Sequence, residues 1–507
     1  MASQAPTIVA PQPARLSSTV RGGLRLGGGQ VVTQACSFIR NVILARLISV
    51  EDFGVAAAFA MTLSLLEMIS NVSADKLLIQ AADGDEPAFQ NTAHFVHVLR
   101  GFGNGFVLFI AGSLAARLFG LPQAVWGFRS LALLPIIRGF IHLDSNRVQR
   151  DMRFGPAVTI DVVSNLVVTL LAYPLAAYLR NYTAMLWILM IQAATSIMTS
   201  HWVAERRYGW TWQRCYTRRM FTFGWPLLIN GLLLYGIMQG DRVIIGSAKQ
   251  LFPHTVYTLA DLGAYSVAFS FTMAPTMFAA NLASSLFLPP LARASSSPPQ
   301  FAAQYMRRAH AICLVTALVT IPFIAAGGAL VTTIYGDKYR GAVSVIGWLA
   351  IMWGVRTLRL VPTIANLAHA DTAASLIANA VRSMAFIGML YAAFSGAGLV
   401  WIAISAVLGE LFAFPTLLFR LKRRHGVSST PWLRQLALVG LGMALTQILV
   451  GAVPLVRSNS VAALAAALLM TSGTVSAMFL FIPQLRRDAS AALAPILSRL
   501  RGTQHGR

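Results

Sequence analysis

Residues 156–179 read PAVTIDVVSNLVVTLLAYPLAAYL, and after Arg180-Asn181-Tyr182 residues 183–204 read TAMLWILMIQAATSIMTSHWVA. At about 1.5 Å per residue either run crosses a hydrocarbon layer about 30 Å thick as a helix, and the connection leaves room only for a tight reversal. Arg147, Arg150 and Arg153 stand before the pair, and Arg206, Arg207, Arg214, Arg218 and Arg219 stand after it. Basic residues thus mark the side on which the pair begins and ends, the pattern that orients membrane helices.

Outward from this pair the pattern fills the chain. Fourteen apolar runs occur, near 24–48, 53–74, 93–118, 124–143, 156–179, 183–204, 222–246, 262–288, 309–335, 342–366, 373–394, 398–420, 436–456 and 461–483. The 507 residues are 56% hydrophobic and 11% charged, far from the composition of a water-soluble domain. With the N-terminus in the cytoplasm, 25 basic residues fall on the cytoplasmic side and eight on the far side, which puts both termini inside. The cytoplasmic connection 75–92 runs against this trend, carrying Asp75, Asp83, Asp85 and Glu86. A net charge of +23 could suggest nucleic acid, but the basic residues punctuate apolar spans and form no patch on a folded surface, so no nucleic-acid partner is expected.

The expected fold class is all-α, a polytopic membrane protein of about fourteen transmembrane helices in two pseudo-symmetric six-helix lobes plus a C-terminal helix pair. Residues 1–21 form a disordered cytoplasmic tail in this reading, 22–204 an N-lobe, 205–220 a basic linker, 221–421 a C-lobe, and 422–507 the last two spans with a basic tail. The first span serves as an uncleaved targeting signal. Leu485, Leu493, Ile496, Leu497 and Leu500 among arginines predict an amphipathic end that rests on the anionic inner leaflet or meets a partner enzyme. Cys36, Cys215 and Cys313 are isolated and the nine histidines lack metal-ligand spacing, so neither a disulfide framework nor a metal site is expected.

The two halves repeat a short motif. Asp52-Phe53-Gly54-Val55 opens the second span and Asp261-Leu262-Gly263-Ala264 opens the eighth; a helix cap explains each alone, and their matching places suggest a repeat. With Leu44-Ala45-Arg46-Leu47-Ile48-Ser49-Val50-Glu51 before the first copy, Asp241-Arg242-Val243-Ile244-Ile245-Gly246 before the second, Phe287-Leu288-Pro289 and Ile334-Tyr335-Gly336-Asp337-Lys338-Tyr339, the chain resembles the polysaccharide flippase family of the multidrug, oligosaccharidyl-lipid and polysaccharide exporter superfamily. The resemblance covers roughly residues 22–420. It implies a Wzx-type protein that moves an undecaprenyl-diphosphate-linked oligosaccharide across the bacterial inner membrane, with a polysaccharide polymerase and glycosyltransferases as neighbours in the pathway. It supplies no invariant motif from which site residues could be carried over.

Site residues come from charge at membrane depth. Arg40, Arg100, Arg138, Arg242, Arg356, Arg359 and Arg382 lie within the spans, and a lipid-facing arginine at the centre costs about 2.5 to 3.5 kcal/mol. Arg138 and Arg242 are near enough to a span end to snorkel. Arg356 and Arg359 share a helical face and Arg382 is mid-span, so these three are expected to line a hydrated cavity and bind a diphosphate or acidic sugars, with Arg40 and Arg100 contributing from the first lobe. The alternative is a structural ion pair, for example with Glu410. Glu410 and Glu67 are candidates for H⁺ or Na⁺ coupling, with an inter-helix salt bridge as the alternative for each. No Gly-x-x-x-x-Gly-Lys-Ser/Thr stretch is present, so ATP hydrolysis by this chain is not expected. Two other functions compete: a drug or cation antiporter of the same superfamily, which would favour acidic cavity residues, and a polyprenyl-phosphate-sugar glycosyltransferase using Glu51 and Asp52.

Overall fold

The computed structural model describes residues 16–70, 74–252 and 254–487. All regular structure among them is helical. In chain order the α-helices are α1 (Leu16–Leu47), α2 (Val50–Ser70), α3 (Ala74–Gln80), α4 (Pro87–Leu118), α5 (Val125–Ser130), α6 (Leu133–Gly139), α7 (Asp144–Gln149), α8 (Gly155–Leu179), α9 (Thr183–Trp202) and α10 (Arg214–Leu251). Then follow α11 (Leu259–Ala294), α12 (Pro298–Tyr335), α13 (Val343–Ala368), α14 (Ala373–Ser383), α15 (Ala385–Phe394), α16 (Leu399–His425), α17 (Leu433–Ala452), α18 (Pro454–Ser458) and α19 (Ser460–Phe481).

Among the described residues, eleven helical segments are long and apolar enough to cross a membrane. Their outer faces carry large bare side chains, among them Leu114, Leu170, Trp202 and Phe412, which suit acyl chains and not water. Among the fourteen expected spans, the first, the fourth and the seventh fall outside these eleven. The fourth is broken into α5 and α6: Pro135 has no N–H to give the carbonyl of Leu131, and the helix opens at Leu131–Ala132. The eleventh is also interrupted, at Met384, where the Ser383 hydroxyl donates to the carbonyl of Asn379 at 3.0 Å.

Contacts divide the chain into two compact units. Unit 1 holds residues 1–49 and 59–235, and unit 2 holds 50–58 and 236–507. The division at Tyr235 and Gly236 falls inside α10, not in the basic 205–220 stretch expected to link the lobes. That stretch is pinned within unit 1 by charge. Arg206 meets Asp85 at 3.0 Å, Arg219 meets Asp83 at 2.8 Å, and the Tyr216 hydroxyl donates to Glu86. The acidic connection that ran against the charge trend is therefore answered by arginines of later connections on the same side, Arg147 at 3.3 Å from Asp85 among them. Residues 16–21, expected to be disordered, form the first turns of α1; the rest of that tail and residues 488–507, which hold most of the expected amphipathic end, lie outside the described residues.

In unit 2, α13 packs against α11, α12 and α16, and α17 and α19 pack on α12. The last two spans thus share the unit 2 core, where Trp432 is fully enclosed and donates to Cys313 Sγ at 3.0 Å. Helix α11 starts with a capping box, the Thr258 hydroxyl accepting from the Asp261 amide and the Asp261 carboxylate accepting from the Thr258 amide, so the cap expected at Asp261 is present. The same turn also touches the other copy of the motif. A Cβ on Gly263 would overlap the carbonyl oxygen of Val50, and a Cβ on Gly54 would overlap that of Leu259. Each overlapped carbonyl stands four residues before the partner glycine, so the two motifs cross reciprocally.

Candidate functional site

Helices α13, α14 and α16 of unit 2 deliver one acid and three bases to a single buried point. Glu410 is 0% exposed. Arg382 Nε lies 2.8 Å from its Oε1, Arg359 Nε 3.3 Å from its Oε2, and Arg356 Nη1 4.0 Å from its Oε1. Spacing of three puts Arg356 and Arg359 on one face of α13. Arg382 lies in the last turn of α14, just before the break at Met384, and its side chain sits between Glu410 and the Ile237 carbonyl, to which it donates at 3.4 Å. The Arg356 guanidinium also covers the Trp353 ring at 4.9 Å.

The charge does not balance. Three guanidiniums against Glu410, with the adjacent Asp241–Arg242 pair neutral overall, leave two positive charges at a mostly buried point. The contacts with Glu410 are charge contacts without hydrogen-bond alignment, and Nη1 of Arg356, Arg359 and Arg382 has no hydrogen-bond partner among the described residues. Buried donors of this kind are costly when unmatched, and a second anion would match them. The ion pair weighed as the alternative is thus present as a charge contact, with both Glu410 oxygens also without a hydrogen-bond donor among the described residues. Beside Arg382, a cavity of about 20 Å³, lined in part by Asp241, Ser383 and Phe386, holds space for about one water. In this conformation unit 2 alone has no room there for a diphosphate.

Next to this cluster stands the Asp241–Arg242 pair, whose aspartate was not among the expected site residues and whose arginine was expected to snorkel. Asp241 is buried; it accepts from the Tyr265 hydroxyl at 2.9 Å and from the Arg242 amide at 2.8 Å. Arg242 does not snorkel: its guanidinium lies 4.1 Å from the Phe269 ring and donates to the Met238 carbonyl. An Asp-Arg dipeptide inside an apolar span was the available signal.

Unit 1 keeps its candidates apart. Arg40 on α1 donates to Asn165 Oδ1 on α8 at 3.4 Å, an oxygen that Gln192 on α9 also approaches at 3.4 Å. Arg100 on α4 lies in the field of Asp75 and Glu67. Glu67 is half-exposed and accepts from Arg138, so the inter-helix salt bridge weighed for Glu67 is formed and Arg138 is held by it.

A second repeated motif emerges outside the spans. His142-Leu143-Asp144 follows α6 and His369-Ala370-Asp371 follows α13. Burial alone would raise the Asp144 carboxyl; hydrogen bonds from Arg147, the Glu205 amide and Gln90 outweigh it and hold the group at about 2. Asp371 binds Arg420 in bidentate fashion, at 2.6 and 2.7 Å, and the His369 ring stacks on His425 at 4.3 Å and meets Phe301 at 4.4 Å. Burial, then the neighbouring His425, keeps the His369 imidazole below its ordinary value. Its unfolded form therefore binds a proton more readily than the folded form, and the stabilisation is complete above about pH 6.5 and lost as pH falls below it. We expect the thermal midpoint of the purified protein to drop between pH 7.5 and pH 5.5, and His369→Gln to reduce that drop. An unchanged pH dependence in the variant would show that other groups govern it.

Comparison with known proteins agrees with this architecture. Residues 43–344 match a family model described as polysaccharide biosynthesis protein. The succinoglycan biosynthesis transport protein ExoT of Rhizobium meliloti (strain 1021) is 22% identical over 334 residues, so the match spans 64% of this chain and 64% of that relative. Among solved structures, the lipid II flippase MurJ in an inward closed conformation superposes with a TM-score of 0.69 at 12% identity, over 91% of this chain and 99% of that one. An inward-facing multidrug resistance MATE family transporter of the MOP superfamily gives a TM-score of 0.61 at 13% identity, over 77% and 95%. At such identities the structural likeness speaks for the fold, and with eleven apolar helices it identifies a multi-pass membrane protein. The matched residues, which cover more than half of its length, place this chain in the polysaccharide biosynthesis protein family.

Proposed function

We propose that the chain is a flippase that moves an oligosaccharide linked to undecaprenyl diphosphate across the bacterial inner membrane by alternating access, with both termini in the cytoplasm. The observation that carries the reading is the excess of two buried positive charges around Glu410, with a guanidinium N–H of Arg356, Arg359 and Arg382 left unmatched. A diphosphate supplies the missing negative charge and the acceptors. The narrow space beside Arg382 means that the ligand reaches these groups only when unit 2 opens, which suits a carrier that cycles between conformations. Proton binding at Glu410 would release the guanidiniums to the substrate in each cycle.

The MATE likeness keeps a cation antiporter in view. Its cargo would need a net negative cluster, and the buried charge here has the opposite sign.

Each charge-assisted contact is worth about 1.5 to 3 kcal/mol. Replacing Arg356, Arg359 and Arg382 together with alanine should therefore abolish complementation of a flippase-deficient strain while the protein still inserts in the membrane. Arginine-to-lysine versions keep the charge, lose the fork, and should export weakly. Full export by the triple alanine variant would end the assignment.

A further inference from the structure

We propose that the groove between α14 and the last three turns of α16 is a binding site for an anionic phospholipid of the surrounding membrane. The groove has a volume of about 700 Å³ and is lined by Ile377, Pro415, Thr416, Phe419, Arg420, Arg423 and Arg424. Its walls are apolar and bare: Ile377 is 43% and Phe419 63% exposed. The exposed residues Leu408, Phe412, Pro415 and Phe419 follow one another at intervals of four, three and four, so they form a single stripe along α16, and Arg423 stands four residues past its end. An acyl chain lying on that stripe brings its headgroup to the arginines.

The arginines are not equivalent. Arg420 is bound at both nitrogens to Asp371 and serves the fold. Arg423 lies over the Phe419 ring at 6.0 Å, and neither Arg423 nor Arg424 forms an ion pair among the described residues. Both line the groove, Arg424 also within the field of Asp371, and a lipid phosphate there would accept from them. Basic residues at a helix C-terminus also complement its dipole, but that effect needs no groove and no bare aromatic beside the charge. Along the α16 axis, Arg423 is about 20 Å from Glu410, so the groove is separate from the buried cluster and independent of the flippase reading.

Phospholipid is favoured over the transported lipid because the groove opens outward to the acyl region and offers two singly charged groups without an enclosed polar chamber. The test uses full-length protein in nanodiscs of phosphatidylcholine with increasing phosphatidylglycerol, read by native mass spectrometry of retained lipid and by the thermal midpoint. Saturable retention of phosphatidylglycerol is expected, weakened roughly tenfold or more in R423Q/R424Q and less in F419A, with the midpoint in pure phosphatidylcholine unchanged. The pair R214Q/R218Q, exposed on α10, is the control and should retain wild-type binding. Equal loss in the control, equal retention of phosphatidylcholine, or displacement of phosphatidylglycerol by a polyprenyl diphosphate at equimolar concentration would each overturn the assignment.

Discussion

Glu410→Ala is expected to destabilise the protein by about 3 to 5 kcal/mol, the largest loss of any single buried carboxylate in unit 2. The wild-type cluster already carries three guanidiniums on one carboxylate. Removing that carboxylate leaves three like charges within a few ångströms of one another at a mostly buried point. Glu410→Gln preserves the shape and removes only the charge, so it should lose nearly as much. Thermal midpoints and the folded yield in detergent measure both. Pairing Glu410→Ala with Arg382→Met, Arg359→Met or Arg356→Met should recover part of the loss, most for Arg382 at 2.8 Å, less for Arg359 at 3.3 Å and least for Arg356 at 4.0 Å. A variant lacking Glu410 that melts with the wild type would mean that the guanidiniums find other counter-charges and that the cluster is not what it is taken to be.

Much of this arrangement is legible in the sequence. Spans 156–179 and 183–204 became α8 and α9 almost residue for residue, because about twenty apolar residues between charged turns leave the backbone no other way to satisfy its hydrogen bonds in lipid. Hydropathy is blind to the breaks at Leu131 and Met384, since a proline or a serine back-bond changes the helix without changing its apolar content. It is equally blind to partners. That Arg356 and Arg359 share a face followed from spacing, but their meeting with Arg382 on Glu410 depends on how α13, α14 and α16 pack. The pinning of residues 205–220 on unit 1 could have been foreseen, because Asp83, Asp85 and Glu86 fall on the same side of the membrane as the arginines of that stretch. So could the repeated His-x-Asp at 142–144 and 369–371, whose partners come from distant helices and gave no local sign.

Alanine at Gly54 or Gly263 should cost about 1 to 3 kcal/mol, against a neutral or slightly stabilising effect at Gly103. Substituting glycine by alanine inside a helix ordinarily gains up to about 1 kcal/mol, and Gly103, with nothing within 4 Å of a Cβ, has no reason to depart from that. At the crossing the added methyl meets backbone. Beyond the overlapped carbonyls, a Cβ on Gly54 would stand 3.0 Å from the Leu259 carbonyl carbon and 3.3 Å from the Gly263 nitrogen, and one on Gly263 would stand 3.1 Å from the Gly54 nitrogen. No rotamer change relieves those contacts; the two helix starts must separate. Because one separation accommodates both methyls, the double variant should lose clearly less than the sum of the single losses. Leucine in place of either glycine demands a wider gap and should abolish complementation as well as stability. Thermal midpoints of the three alanine variants and the double variant decide the matter: if Gly54→Ala and Gly263→Ala behave like Gly103→Ala, the repeated Asp-x-Gly is a pair of helix caps and nothing more. If they lose stability sub-additively, the motif is kept in both halves because each copy makes room for the other.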